Sequence, residues 1–186
     1  MIKTVHKFFS LGSFEKEEQW LNAMSQKGYQ LVHVGWCSYT FLEGEPGKYL
    51  YRLELLEEVP EHPESAAYIR FMEETGAEMV ASYMRWVYFR KKAKDGAFDL
   101  YSDIRSKIGH YRRIAGLWWV LLFVELIALA INVAGTVNYV ITNGRLLNPN
   151  FFLSLFCLLL LGFVFCIGLP VLKKLRQMKK EQRVRE

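Results

Sequence analysis

Only three of the 186 residues are cysteines, Cys37, Cys157 and Cys166. No two of them form a CxxC pair, so neither a disulfide framework nor a paired thiol site can be built, and a reducing cytosolic setting is expected. The four histidines, His6, His33, His62 and His110, offer no HxxxH or HExxH pattern that would set two imidazoles on one helical face. His33 and Cys37 fall four apart in an expected strand and would share a face, but two ligands are too few for a structural zinc site. Glycine-rich phosphate loops and a G-x-S-x-G elbow are also missing. The start of the chain, MIKTVHKFFSLGSFEKEE, lacks an apolar stretch of signal-peptide length, so membrane insertion is expected to depend on later segments. No catalytic residue, metal or cofactor is expected.

Charge is scarce where apolar residues dominate and abundant beside them. Residues 1–96 hold twelve Lys/Arg against fourteen Asp/Glu, residues 97–116 four against two, and residues 173–186 seven against two. The basic pI of about 9.1 therefore comes from the flanks of the apolar segments, which argues against nucleic acid as a partner. The two segments, residues 117–141 (LWWVLLFVELIALAINVAGTVNYVI) and 151–172 (FFLSLFCLLLLGFVFCIGLPVL), each exceed the roughly twenty residues needed to cross about 30 Å of hydrocarbon. A transmembrane hairpin, 117–172, is expected. The turn between the segments carries one cation, Arg145, whereas Lys91, Lys92, Lys94, Arg105, Lys107, Arg112 and Arg113 precede the first and Lys173 to Arg185 follow the second. By the positive-inside rule both termini are expected in the cytoplasm, with 173–186 as a basic tail and Trp118, Trp119 and Tyr139 in the aromatic belts. Glu125, eight residues into the first span, is expected to face another subunit or the second helix, there near Gly162 to Cys166 with Gly162 allowing close approach.

Residues 1–96 read as a cytoplasmic α+β domain. Lys3 to Phe9 is a β-rich run, and Ser13 offers a helix cap ahead of Glu15, Glu17 and Glu18. Phe14, Leu21 and Met24 recur at helical spacing up to Gly28. Gln30 to Phe41 and Lys48 to Leu55 are strands joined through Gly44 to Gly47, Pro63 to Gly76 is a second helix, and Glu78 to Lys91 a fourth strand. The order β-α-β-β-α-β predicts a ferredoxin-like fold, a four-stranded antiparallel sheet with both helices on one face, built on a loose pseudo-repeat of two βα units. Residues 97–116 read as an amphipathic juxtamembrane helix that lies on the membrane, extends the first span as a rigid helix, or covers the sheet.

The acidic string Glu54, Glu57, Glu58, Glu61 and Glu64 lies at a strand end and in a proline-containing connection, where a solvated loop is expected rather than an acid and base pair. A more specific surface is expected on the sheet, where Arg52, Arg85, Trp86 and Tyr88 are the candidate ligand or partner residues. The runs HKFFSLGSFEKEEQWLNAMSQKGYQLVHVGWCSYTFLEGEPGKYLYRLELLE and YIRFMEETGAEMVASYMRWVYFRKK resemble a bacterial, DUF2812-like family catalogued as a domain of unknown function. Phe14, Glu15, Glu17, Glu18, Trp20, Leu21, Met24, Gly28, Phe41, Pro46, Tyr51, Phe71, Glu74, Gly76, Trp86 and Phe89 carry the resemblance. It implies a domain that precedes hydrophobic segments, encoded beside PadR-type transcription regulators, with no known ligand or catalytic residue. The reading is therefore a non-enzymatic, membrane-anchored sensing or protein-interaction module. Its partners would be the lipid bilayer and a cytoplasmic regulator protein or small ligand, with oligomers left open. A small transporter or channel subunit using Glu125, and a membrane-associated enzyme of unknown reaction, stand as alternatives.

Overall fold

The structure, a computed structural model, describes residues 1–100 and 104–185, without the side chains of residues 11, 104 and 183–185. The element order is β1 (Ile2–His6), α1 (Phe14–Gln26), β2 (Tyr29–Gly35), β3 (Ser38–Glu43), β4 (Tyr49–Leu55), α2 (Pro63–Glu74), β5 (Glu78–Tyr83), β6 (Trp86–Lys92), α3 (Ile104–Asn143) and α4 (Pro149–Arg185). Two compact units divide the chain, Met1–His110 and Tyr111–Glu186.

The first unit is α+β, but its strands form two three-stranded antiparallel sheets, ordered β1-β3-β2 and β4-β6-β5, rather than one four-stranded sheet. The expected second and fourth strands each fold back on themselves as hairpins, turning at Trp36-Cys37 and Met84-Arg85. Neither turn carries the Asn-Gly or Asp-Gly pair that marks a two-residue hairpin loop. The left-handed backbone falls instead on Cys37 (φ 50°) and Met84 (φ 55°), the non-glycine residues with positive φ among those described.

The result is an internal duplication, β-α-β-β repeated, with the same strand order in each sheet. The helices and hairpins of the two repeats align forty-eight residues apart without a gap: Met24 with Met72, Gly28 with Gly76, Phe41 with Phe89. The bulges correspond too, since the register slips at Val32 between Leu31 and His33 and at Val80 between Met79 and Ala81. Gly28 (φ 82°) and Gly76 (φ 90°) end the helices in the left-handed conformation that glycine adopts without penalty. A side chain at Gly28 would also meet the Gly44 carbonyl oxygen at 2.8 Å. Ser13 does not cap α1; its hydroxyl donates to the Ser10 carbonyl at 2.8 Å.

One core joins both sheets to α1 through Leu21, Met24, Leu31, Phe41, Tyr51, Leu53 and Tyr88. A second core lies between α2 and the opposite face of the β4-β6-β5 sheet, formed by Ile69, Met72, Val87 and Phe89. Phe98 is buried in that second core and residues 96–100 are not helical, so 97–116 is not one continuous helix. Tyr101, expected within it, lies outside the described residues. The unit runs on to His110 instead of stopping near residue 96, because His110 is fully buried and its Nδ1 accepts the Leu55 N–H at 3.4 Å.

The second unit holds two helices long and apolar enough to cross a membrane, with only 22% and 17% of their most apolar windows buried within the protein. So much uncovered apolar surface suits lipid and not water. Trp118 sits in the seam between these helices rather than in an aromatic belt: its Nε1–H donates to the Val164 carbonyl at 2.7 Å, and a Cβ at Gly168 would overlap its ring. Trp119 is the exposed member of the pair. Gly162, expected at the helix contact, meets nothing within 4 Å, and Gly135 takes a close position beside Asn150. The antiparallel register is displaced from the expected one, so Glu125 meets Cys157, more than a turn from Gly162.

Candidate functional site

The outer edge of β4 is closed by side chains. Residues 48, 50, 52, 54 and 56 ladder with β6 and its flanks, so the backbone groups of Tyr49, Tyr51, Leu53 and Leu55 point away from the sheet. On α1, Glu18, Asn22 and Ser25 recur at i, i+4 and i+7 and meet that edge as a strand would. The Ser25 hydroxyl donates to the Tyr49 carbonyl at 2.7 Å, and Asn22 takes both Tyr51 groups, accepting its N–H at 2.8 Å and donating to its carbonyl at 3.2 Å. Glu18 accepts the Leu53 N–H at 2.8 Å, and His110 closes the row at Leu55. Burial pushes the Glu18 carboxyl up to about 7, partly offset by the Leu53 bond and by Arg52 and Lys107, while Glu15 adds to the rise.

The neighbouring Glu17 turns into the core, where one carboxylate oxygen accepts hydrogen bonds from Tyr39 and Tyr88, each at 2.7 Å. Burial raises its pKa against the pull of the two phenols. This bridge ties the first sheet to the second through a helix side chain.

The equivalent edge of the first repeat has no such cover. Met1, Lys3, Val5 and Lys7 pair with β3 and its flanks, so the outward backbone groups belong to Ile2, Thr4 and His6. These correspond to Tyr51, Leu53 and Leu55 of β4, yet no described side chain reaches them, and four of the five β1 residues are exposed. Lys3 and Lys7 are exposed and rest on aromatic rings, Lys3 4.3 Å from the Tyr29 centroid and Lys7 4.7 Å from that of Trp20. The helix that would close this edge by analogy, α2, has Ala66, Arg70 and Glu73 where α1 has Glu18, Asn22 and Ser25, and it packs on its own sheet instead.

This duplicated unit, running into a long apolar helix, coincides with a family match over residues 13–123, from just before α1 into α3, to "Protein of unknown function (DUF2812)". The chain belongs to that family. No curated protein and no solved structure matches it.

Within this DUF2812 protein the sequence-predicted surface does not assemble. The face of β4 that bears Arg52 and Glu54 is not open but lies against α2, where Tyr68 donates to Glu54 at 2.5 Å. The Arg52 guanidinium donates to the Tyr51 carbonyl at 2.9 Å, and Arg85, a turn residue, donates to the Glu57 carbonyl at 2.5 Å. Tyr88 is in the core, and Trp86 is half-buried with its ring 6.0 Å from Phe14 and 5.8 Å from His110. Sheet alternation put Arg52 and Arg85 on one face, with Trp86 and Tyr88 one residue out of phase; both sheet faces are covered, and tertiary packing separates the four. Cys37 lies in a turn and not in a strand with His33. Among the described residues no three His, Cys, Asp or Glu side chains are grouped to hold a metal. Glu125 has Cys157 as hydrogen-bond neighbour, and its Oε1 is buried with no partner among the described residues. Sequence reasoning missed the Glu18-Asn22-Ser25 stripe, although its i, i+4, i+7 spacing was there to be read.

Proposed function

We propose that the chain is a non-enzymatic, membrane-anchored protein-interaction module, which binds an extended segment of a cytoplasmic partner at the uncovered edge of β1. The observation that carries this is the inequality of the two repeats: α1 and His110 close the β4 edge, while the same backbone groups at Ile2, Thr4 and His6 stay open. An open edge gives affinity through main-chain hydrogen bonds. Lys3, His6 and Lys7 along it favour a segment with acidic flanks and discourage pairing with basic strands. The apolar helices serve as anchor, with both termini cytoplasmic. A transcription regulator is the partner class suggested by the family resemblance, and holding it at the membrane would deplete it from the chromosome by mass action.

The test uses Thr4→Pro. The Thr4 N–H points away from β3, so proline there leaves the β1–β3 ladder intact while removing a donor from the open edge. The detergent-solubilised full chain is titrated calorimetrically with the candidate regulator. Expected is saturable binding weakened at least tenfold by Thr4→Pro and unchanged by Arg52→Ala and Arg85→Ala. Undiminished binding by Thr4→Pro would refute the edge as the site.

A further inference from the structure

Away from the chain start, where Met1 is 86% and Ile2 69% exposed, three large apolar side chains of the first unit lie open: Trp36 at 74%, Met84 at 73% and Phe8 at 65%. Trp36 and Met84 occupy the same position in the two repeats, at the tips of the β2–β3 and β5–β6 hairpins. The tips lie side by side, with the Trp36 ring 6.5 Å from that of Tyr83. Phe8 joins them because the preceding residue, Lys7, donates its N–H to the Cys37 carbonyl in the first tip. One end of the unit thus gathers Trp36, Met84 and Phe8, the first two on turns whose left-handed Cys37 and Met84 backbones hold them outward.

That end is also where the chain leaves the unit. Lys107 of α3 is in electrostatic range of Glu18, one turn into α1, whereas His110 stands against Phe14 at the start of α1, ring centroids 4.8 Å apart, and against Leu55 at the end of β4. Leu55 pairs with Trp86, beside the β5–β6 tip. From Lys107 to His110, α3 therefore advances along the β4 edge toward the hairpin tips. The first apolar segment begins at Leu117, seven residues beyond His110, which a helix covers in about 10 Å.

We propose that the two hairpin tips and Phe8 sit in the headgroup layer of the membrane that anchors the chain. This layer is about 5–8 Å deep on each side of the hydrocarbon. Indole and thioether side chains partition into it, with the indole N–H free to meet lipid carbonyls. The charges at this end are mixed, Lys7 and Arg85 against Glu57 and Glu58, so apolar burial drives the contact and anionic lipid is not required. The tips would then fix the tilt of the unit on the bilayer and hold the β1 edge in a constant presentation. The inference rests on the anchored reading and not on the identity of any partner.

Spin labels test it in the full chain, with Cys37, Cys157 and Cys166 replaced by alanine and fold checked by circular dichroism. Labels are placed one at a time at Trp36→Cys, Met84→Cys, Glu45→Cys in the turn at the opposite end, and Leu126→Cys within the first apolar segment. The protein is reconstituted in phosphatidylcholine nanodiscs, and collisions with oxygen and with a water-soluble nickel chelate are compared. Expected are depths at 36 and 84 between those at 126 and 45, unchanged when phosphatidylglycerol is added. Labels at 36 and 84 as open to nickel as that at 45 would overturn the tip contact while leaving the anchor in place. An aqueous label at 126 would overturn the anchor and this contact with it.

Discussion

Glu17 and Glu18 are adjacent in sequence and do different things because a helix turns them about 100° apart. Glu17 is bonded inside the core by Tyr39 and Tyr88, whereas Glu18 borders the β4 edge, faced by Arg52 from β4, Lys107 from α3 and Glu15 from its own helix. A carboxyl whose folded pKa lies near 7 against 4.5 in the unfolded chain binds its proton more tightly when folded. Its contribution to stability is thus full below about pH 4.5 and is lost as the pH rises through about 7. Glu17, also raised, acts in the same direction. The first unit should lose stability between pH 5 and pH 8, by at most about 3 kcal/mol from Glu18. Glu18→Gln, which keeps an acceptor for the Leu53 N–H, should flatten that slope. Hydrogen exchange of the β4 amides at the two pH values, in wild type and variant, measures both.

At the scale of elements, α1 acts as a surrogate strand and α2 does not. Asn22→Ala would leave the Tyr51 N–H without its partner while Arg52 still serves the carbonyl, and should cost about 1–2 kcal/mol, with faster exchange at the Tyr51 amide. Arg70→Ala, the corresponding change in exposed α2, should cost under about 0.5 kcal/mol. In the second unit the seam between α3 and α4 depends on Gly168 making room for Trp118, while Gly162 faces open space. Gly168→Leu should separate the helices and Gly162→Leu should not. Cysteine pairs flanking Asn150 and Gly135, whose close approach reports the same seam, would lose their cross-linking in the first variant only.

At the scale of the whole molecule, two apolar helices join a duplicated α+β unit to surroundings that neither unit supplies. The proposed orientation rests on cations rather than on packing, with Arg145 alone between the apolar segments and basic clusters on the other flanks. A cysteine at Asn143 should react with an impermeant thiol reagent added to intact cells, and one at Gln182 should not. The opposite pattern would place the open β1 edge and its partner outside the cell.

The sequence by itself determined the apolar spans, the two helices with their terminal glycines and the α+β class, because hydrophobic period, length and glycine conformation are local properties. It showed the repeat only dimly. The hairpin turns at Trp36-Cys37 and Met84-Arg85 carry no glycine, asparagine or aspartate, so two strands were read where four exist. Likewise, alternation offered Arg52 and Arg85 as one open face, with Trp86 and Tyr88 one residue out of phase, since strand period does not say which face a helix will cover. Tertiary structure decided that α1 would close one edge and leave the other open. That choice depends on side chains forty-eight residues apart, Asn22 against Arg70 and Ser25 against Glu73, meeting backbone groups that only the fold brings near.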